Sequence, residues 1–78
     1  MNEYDILLEI FRFIRDYSTA AYTLPDVCRK LMKHLRAGGY TAELTNINKD
    51  AKLVQVDGFR YRILRHDGWS TYDVIRTV

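Results

Sequence analysis

The hydrophobic pattern changes its period once along the chain, near Tyr40. Before that residue, apolar positions recur every three or four residues, which is the repeat of an amphipathic helix. After it, apolar and polar positions alternate, which is the repeat of a strand with one buried face. The sequence therefore predicts helices in the first half of the chain and strands in the second.

The first helix is predicted over residues 3–17. Its apolar positions fall three and four residues apart, as the buried stripe of a helix does. The predicted stripe comprises Leu7, Ile10, Phe11 and Ile14, with Tyr4 and Tyr17 extending it. Ile6 and Phe13 lie beside this stripe, so we expect more than one face of the helix to be covered.

The second helix is predicted over residues 24–37, and both of its ends carry sequence signals. Thr23 suits the N-cap position, and Asp26 stands where the acid of a capping box would stand. Gly38 and Gly39 follow the last helical residue and accept the positive φ that ends many helices. The apolar stripe comprises Val27, Cys28, Leu31, Met32 and Leu35. The opposite face comprises Arg29, Lys30, Lys33, His34 and Arg36.

Strands are predicted at about 41–47, 52–57, 59–66 and 69–77. Two Asp-Gly pairs, at 57–58 and 67–68, are typical of two-residue type I′ hairpin turns. The first turn places Val56 opposite Phe59 and Val54 opposite Tyr61. A one-residue slip would send every side chain of a strand to the other face, so the turns define which residues point inward.

The second turn predicts the pairing of the last two strands. The predicted pairs are Ile63 with Tyr72, Tyr61 with Val74, and Arg62 with Asp73. Both turns place Tyr61 on the inner face, so the two local signals agree with each other. A three-residue loop at 48–50 likewise brings Leu44 opposite Val54.

These elements predict an α+β fold for residues 1–78, taken as a single small domain. Two N-terminal helices pack on one face of a four-stranded antiparallel β-meander, because a helix and a sheet must each bury an apolar face. The inner face of the sheet is predicted to comprise Leu44, Val54, Val56, Phe59, Tyr61, Ile63, Tyr72 and Val74.

The other face of the predicted sheet has a composition suited to binding. Trp and Arg are the residue types most enriched in binding hot spots, and both occur here among aliphatic neighbours. The predicted binding residues are Leu53, Arg60, Arg62, Leu64, His66, Trp69, Asp73 and Ile75. Trp69 is the expected anchor. The alternative is an ordinary solvated face, with its apolar residues scattered or covered by a chain terminus.

Charge adds a second hypothesis. The chain of 78 residues has a formal net charge of +2, which is low for a nucleic-acid-binding domain. The basic side chains are nevertheless concentrated on the second helix, where they could contact phosphates. Direct nucleic-acid binding through Arg29, Lys30, Lys33, His34 and Arg36 is therefore the first alternative. A solvated face and an acidic protein surface explain the same residues.

Catalytic and metal-binding arrangements are weak in this sequence. Ser70, His66 and Asp73 supply the residue types of a nucleophilic triad, but strand alternation sends Ser70 to the opposite face. Cys28 and His34 are six residues apart on one helix, which is not a zinc-ligand spacing. We therefore expect no catalytic site, no metal and no cofactor, with Cys28 as a core residue.

The leading hypothesis is a small non-enzymatic binding module that docks on a larger protein or nucleoprotein. We expect an inhibitor or adaptor type of module, of the kind that phages and mobile elements encode. A homodimeric structural domain, with the bare faces of two sheets stacked, is the second alternative. The acidic N-terminal segment, the single cysteine and the absence of a long apolar run predict a cytoplasmic protein without membrane contact.

Overall fold

Two helices precede a four-stranded antiparallel sheet in the computed structural model, which describes residues 2–16, 23–48, 51–65 and 72–77. The helices are α1 (Glu3–Asp16) and α2 (Leu24–Ala37). The strands are β1 (Ala42–Asn48), β2 (Ala51–Val56), β3 (Phe59–Arg65) and β4 (Tyr72–Thr77), and they lie side by side in chain order. The predicted α+β meander is confirmed.

Helix α2 has the boundaries and the buried face that its sequence predicts. The Thr23 hydroxyl oxygen accepts a hydrogen bond from the Asp26 backbone N–H at 3.3 Å, so Thr23 is the N-cap. Gly39 ends the helix with a φ of 92°, a conformation that glycine adopts without strain. The predicted stripe is buried throughout: Val27, Cys28, Leu31, Met32 and Leu35.

Helix α1 buries only part of the predicted stripe. Its core residues repeat every four positions, as Ile6, Ile10 and Ile14. Phe11 and Tyr4, predicted in the stripe, are exposed, and Leu7 is only half-buried. The prediction was correct for Ile10 and Ile14 and wrong for Phe11 and Tyr4, because the apolar arc of this helix is wider than the surface that α2 and the sheet offer it. The predicted extension at Tyr17 lies outside the described residues.

The first two hairpins keep the predicted register. Val56 pairs with Phe59, and Val54 lies between Leu44 and Tyr61. Asp57 and Gly58 both have positive φ, at 49° and 87°, as a type I′ turn requires. The register of β1 against β2 shifts near Asn46, so that Asn48 pairs with Ala51 instead of standing in a three-residue loop. Residues 49–50 lie outside the described part of the chain.

The β3–β4 pairing differs from the prediction by two residues. Ile63 pairs with Val74 and Tyr61 with Arg76, whereas a two-residue turn would have paired Ile63 with Tyr72. Arg62 lies opposite Ile75, so its predicted pairing with Asp73 was wrong. A shift of two residues preserves the face on which each side chain lies, because side chains alternate with a period of two. The predicted Asp67-Gly68 turn falls outside the described residues.

Contacts that are distant in sequence stabilise the observed register. Arg76 lies on the inner face opposite Tyr61, and its Nε donates a hydrogen bond to the Glu3 carboxylate of α1 at 2.7 Å. The Arg76 guanidinium also lies 5.2 Å from the centre of the Phe59 ring, which is a cation–π distance. The Tyr61 hydroxyl donates to the Glu3 carbonyl oxygen at 2.8 Å. Helix α1 is thereby fastened to β3 and β4, while α2 packs against β1 and β2.

Candidate interaction surfaces

The sheet face opposite the helices, here called the outer face, is ordered in rows across the strands. The central row runs from Thr45 through Leu53 and Arg62 to Ile75. One neighbouring row comprises Glu43, Gln55, Arg60 and Thr77, and the other comprises Ala51, Leu64 and Asp73. Neither described helix packs on this face, since both helices contribute to the core with the inner-face residues.

Arg62 stands at the centre of the outer face with aliphatic neighbours. Leu53 lies opposite it on β2 and Ile75 opposite it on β4, while Leu64 follows two residues later on the same strand. Arg62 and Arg60 are exposed, Ile75 is 47% exposed, and the two leucines are half-buried. The arrangement combines cationic donors with an apolar surround, a combination that can bind carboxylates next to apolar side chains.

The two arginines of the outer face are available to a partner. Among the described residues, the ion pairs of arginine involve Arg29 and Arg76, so Arg60 and Arg62 pair with no described carboxylate. Asp73 lies opposite Leu64 instead of Arg62, so the predicted cross-strand pair of Arg62 and Asp73 is not formed.

Two predicted binding residues, His66 and Trp69, lie outside the described residues, and so does Ser70 of the discounted triad. The six other predicted residues all fall on the outer face, as Leu53, Arg60, Arg62, Leu64, Asp73 and Ile75. The anchoring role of Trp69 stays a prediction.

The basic face of α2 is largely engaged within the protein. Arg29 forms an ion pair with Asp26, which also accepts a hydrogen bond from Thr23. The Thr23 hydrogen bond is the main cause that lowers the pKa of Asp26, and Arg29 adds to it. Arg36 donates two hydrogen bonds to the Ala42 carbonyl oxygen, at 2.8 and 3.0 Å. These contacts leave fewer cationic groups to meet phosphates than the sequence suggests.

His34 of the same face connects the two helices. Its Nε2 lies 2.7 Å from a carboxylate oxygen of Glu9, and its ring stacks on Phe13 at a centroid distance of 4.7 Å. Lys30 and Lys33 are exposed on the same helix. The structure therefore brings the five predicted basic residues onto one side of α2, where Arg29, His34 and Arg36 make the intramolecular contacts described above.

A surface that the sequence prediction missed lies along α1. Tyr4, Leu7, Leu8 and Phe11 line a groove of about 350 Å³ together with Val74 of β4. Tyr4 is 71% exposed, Phe11 49% and Leu8 47%. The signal was present in the sequence, because an apolar arc that includes Ile6, Leu8 and Phe13 is too wide for one buried stripe. We call this surface the α1 groove.

The described residues offer little nucleophilic or metal-binding chemistry. Cys28 is fully buried, and burial raises the pKa of its thiol to about 12, although nearby Lys52 opposes the increase. The thiol is therefore protonated at neutral pH and unsuited to nucleophilic attack. No group of three His, Cys, Asp or Glu side chains within residues 2–16, 23–48, 51–65 and 72–77 is arranged to hold a metal ion.

A small polar pocket of about 90 Å³ lies at the β2–β3 turn, between Thr41, Glu43, Gln55, Asp57 and Gly58. An Asp57 carboxylate oxygen accepts hydrogen bonds from both the backbone N–H and the hydroxyl of Thr41, each at 2.9 Å. The backbone hydrogen bond is the main cause that lowers the pKa of Asp57. The carboxylate thus fixes the turn to the segment before β1.

No protein-family model, curated protein or solved structure matches this chain. Neither α1 nor α2, the helices of the described residues, is long and apolar enough to cross a lipid bilayer. The surfaces of the protein are therefore the basis for proposing its function.

Proposed function

We propose that this protein is a small non-enzymatic binding module that docks on a larger protein through the outer face of its sheet. The proposal rests on one observation above all. The centre of that face is an exposed arginine, Arg62, surrounded by Leu53, Leu64 and Ile75 and unpaired with any described carboxylate.

A rigid support makes this cluster suitable for binding. Strand β3 is paired on both sides, by β2 and by β4, so the backbone under Arg60 and Arg62 is fixed before a partner arrives. Groups that are already ordered lose less conformational entropy on association. The aliphatic neighbours exclude water from the contact, and an ion pair gains strength in a desolvated environment.

The chemistry of the face defines the expected partner. Arginine binds carboxylates through two parallel hydrogen bonds, and its planar group also stacks on aromatic rings. The partner surface should therefore combine carboxylates with apolar or aromatic side chains. Occupying such a surface without reacting is how an inhibitor or an adaptor acts, and the function proposed here belongs to that type.

Affinity measurements on matched variants test this proposal. The partner is first captured from host lysate with the parent protein, with and without nuclease, and binding is then measured with purified components. Arg62→Ala and Arg60→Ala should each weaken binding by about 2 kcal/mol while leaving the thermal midpoint unchanged. Trp69→Ala tests the predicted anchor in the same assay.

Lys33→Ala is the matched control, because it removes an exposed cation from α2 and not from the sheet. Parent-like affinity in both arginine variants would reject the outer face as the working surface. Capture that disappears after nuclease treatment, combined with a loss of binding in Lys33→Ala, would favour the nucleic-acid alternative instead.

A further inference from the structure

The exposed apolar residues of α1 follow the spacing of a helix–helix seam. Tyr4, Leu8 and Phe11 are separated by four and then three residues, and Arg15 follows four residues later. This alternation of four and three is the repeat at which one helix contacts another in a coiled coil. The core residues Ile6, Ile10 and Ile14 lie on a different side, so the seam is additional to the packing of the domain.

The charges beside this seam are complementary between two antiparallel copies of α1. Asp5 and Arg12 are both exposed, lie seven residues apart, and therefore stand on the same flank of the seam. When two copies of α1 lie antiparallel, that flank of one copy faces the same flank of the other. Asp5 of each copy then meets Arg12 of the second copy, which gives two equivalent ion pairs related by a twofold axis.

The same antiparallel alignment pairs the seam residues well. At the centre, Leu8 of each copy contacts Phe11 of the other copy. These two equivalent contacts bury apolar area of both copies. Tyr4 meets Arg15 of the second copy at each end, a combination that favours a cation–π contact. The opposed helix dipoles are also favourable. A parallel alignment would instead place Arg15 against Arg15 in one layer of the seam.

We propose that the α1 groove binds a second copy of this chain, with the two α1 helices antiparallel across a twofold axis. Val74 and Leu7 form the floor of the groove beside the seam. The helices lie on the inner side of the sheet, so the dimer leaves both outer faces uncovered. This dimer differs from one made by stacking two sheets, which would cover the outer faces. It would present two outer faces, which strengthens binding to a target that carries two copies of the recognised surface.

A charge exchange in the 78-residue chain tests this dimer. Sedimentation equilibrium of the parent should show a monomer–dimer equilibrium at concentrations below about 1 mM. Asp5→Arg places like charges at both flanking contacts, and Arg12→Asp does the same with the opposite sign. Each variant alone should therefore dimerise about tenfold or more weakly than the parent. An equimolar mixture of the two variants should regain the parent's association, because all flanking contacts become complementary again.

Two further variants test whether the association occurs through α1 and not through the outer face. Leu8→Gln changes a half-exposed seam residue and should weaken association without altering the circular dichroism spectrum of the monomer. Arg62→Asp reverses a charge on the outer face and should leave association unchanged. The proposal is overturned if the parent stays monomeric up to about 1 mM. It is also overturned if both charge-reversed variants dimerise as strongly as the parent, or if their equimolar mixture does not regain the parent's association.

Discussion

The two helices have the same length, yet they use their apolar residues differently. Helix α2 buries every large apolar side chain that it carries, from Leu24 to Leu35. Helix α1 buries three isoleucines and leaves Tyr4, Leu8 and Phe11 about half exposed or more. An apolar stripe matched to its packing surface stabilises a fold, whereas an apolar excess on a neighbouring helix identifies a surface available for binding.

The largest expected difference between the helices comes from one chemical change made in each. Leu31→Ala in α2 leaves a cavity in the core and should lower the free energy of unfolding by about 3 kcal/mol. Leu8→Ala in α1 removes a side chain that is 47% exposed, and it should cost less than about 0.5 kcal/mol. Urea unfolding at low protein concentration measures both. Equal losses would mean that Leu8 is also part of the core.

A smaller loss of stability is expected from removing one of the hydrogen bonds that connect the helices to the sheet. Arg36 of α2 donates a hydrogen bond to the Ala42 carbonyl oxygen of β1. In α1 the Glu3 carbonyl oxygen accepts a hydrogen bond from the Tyr61 hydroxyl of β3. Tyr61→Phe removes this donor and should cost about 1 kcal/mol, because the hydrogen bond between the ring hydroxyl and α1 is lost. Tyr4→Phe, on the exposed side of α1, is the control and should cost nothing measurable. If the two changes are equally harmless, the hydrogen bond contributes no stability.

The sheet shows the same contrast between local and distant causes. The β2–β3 register follows from the Asp57-Gly58 turn alone, so the sequence predicts it correctly. In the observed β3–β4 register Arg76 lies opposite Tyr61 and pairs with Glu3, which is 73 residues away in the chain. A pairing stabilised by so distant a contact cannot be inferred from a turn sequence. The prediction therefore failed there by two residues.

Like the strand registers, the candidate surfaces were predicted only in part. The six described residues of the predicted binding set lie on the expected face, because a two-residue shift leaves every side chain on its own face. Their neighbours across β3 and β4 were not predicted correctly, since Ile75 and not Asp73 lies opposite Arg62. The engagement of the α2 cations was also hidden from the sequence, because it depends on Glu9 of the other helix and on the Ala42 carbonyl oxygen.

The smallest expected effect concerns the N-terminus of α2 at acid pH. The hydrogen bond from Thr23 lowers the pKa of Asp26 below its ordinary value of 3.8 in the folded protein. A lowered pKa in the folded state contributes stability above the unfolded-state value, and this contribution disappears as the pH falls through the folded-state value. Asp26→Asn has no such group, so the parent should lose its advantage over this variant between about pH 5 and pH 2.

Urea unfolding at several pH values in that range measures this convergence. Thr23→Ala sharpens the test, because it removes the main cause of the shift while retaining the Asp26 carboxylate. The acid-dependent loss of stability should therefore be smaller in Thr23→Ala than in the parent. A difference between the parent and Asp26→Asn that stayed constant with pH would show that the Asp26 charge adds no stability to α2. The N-cap would then act through the Thr23 hydrogen bond to the backbone alone.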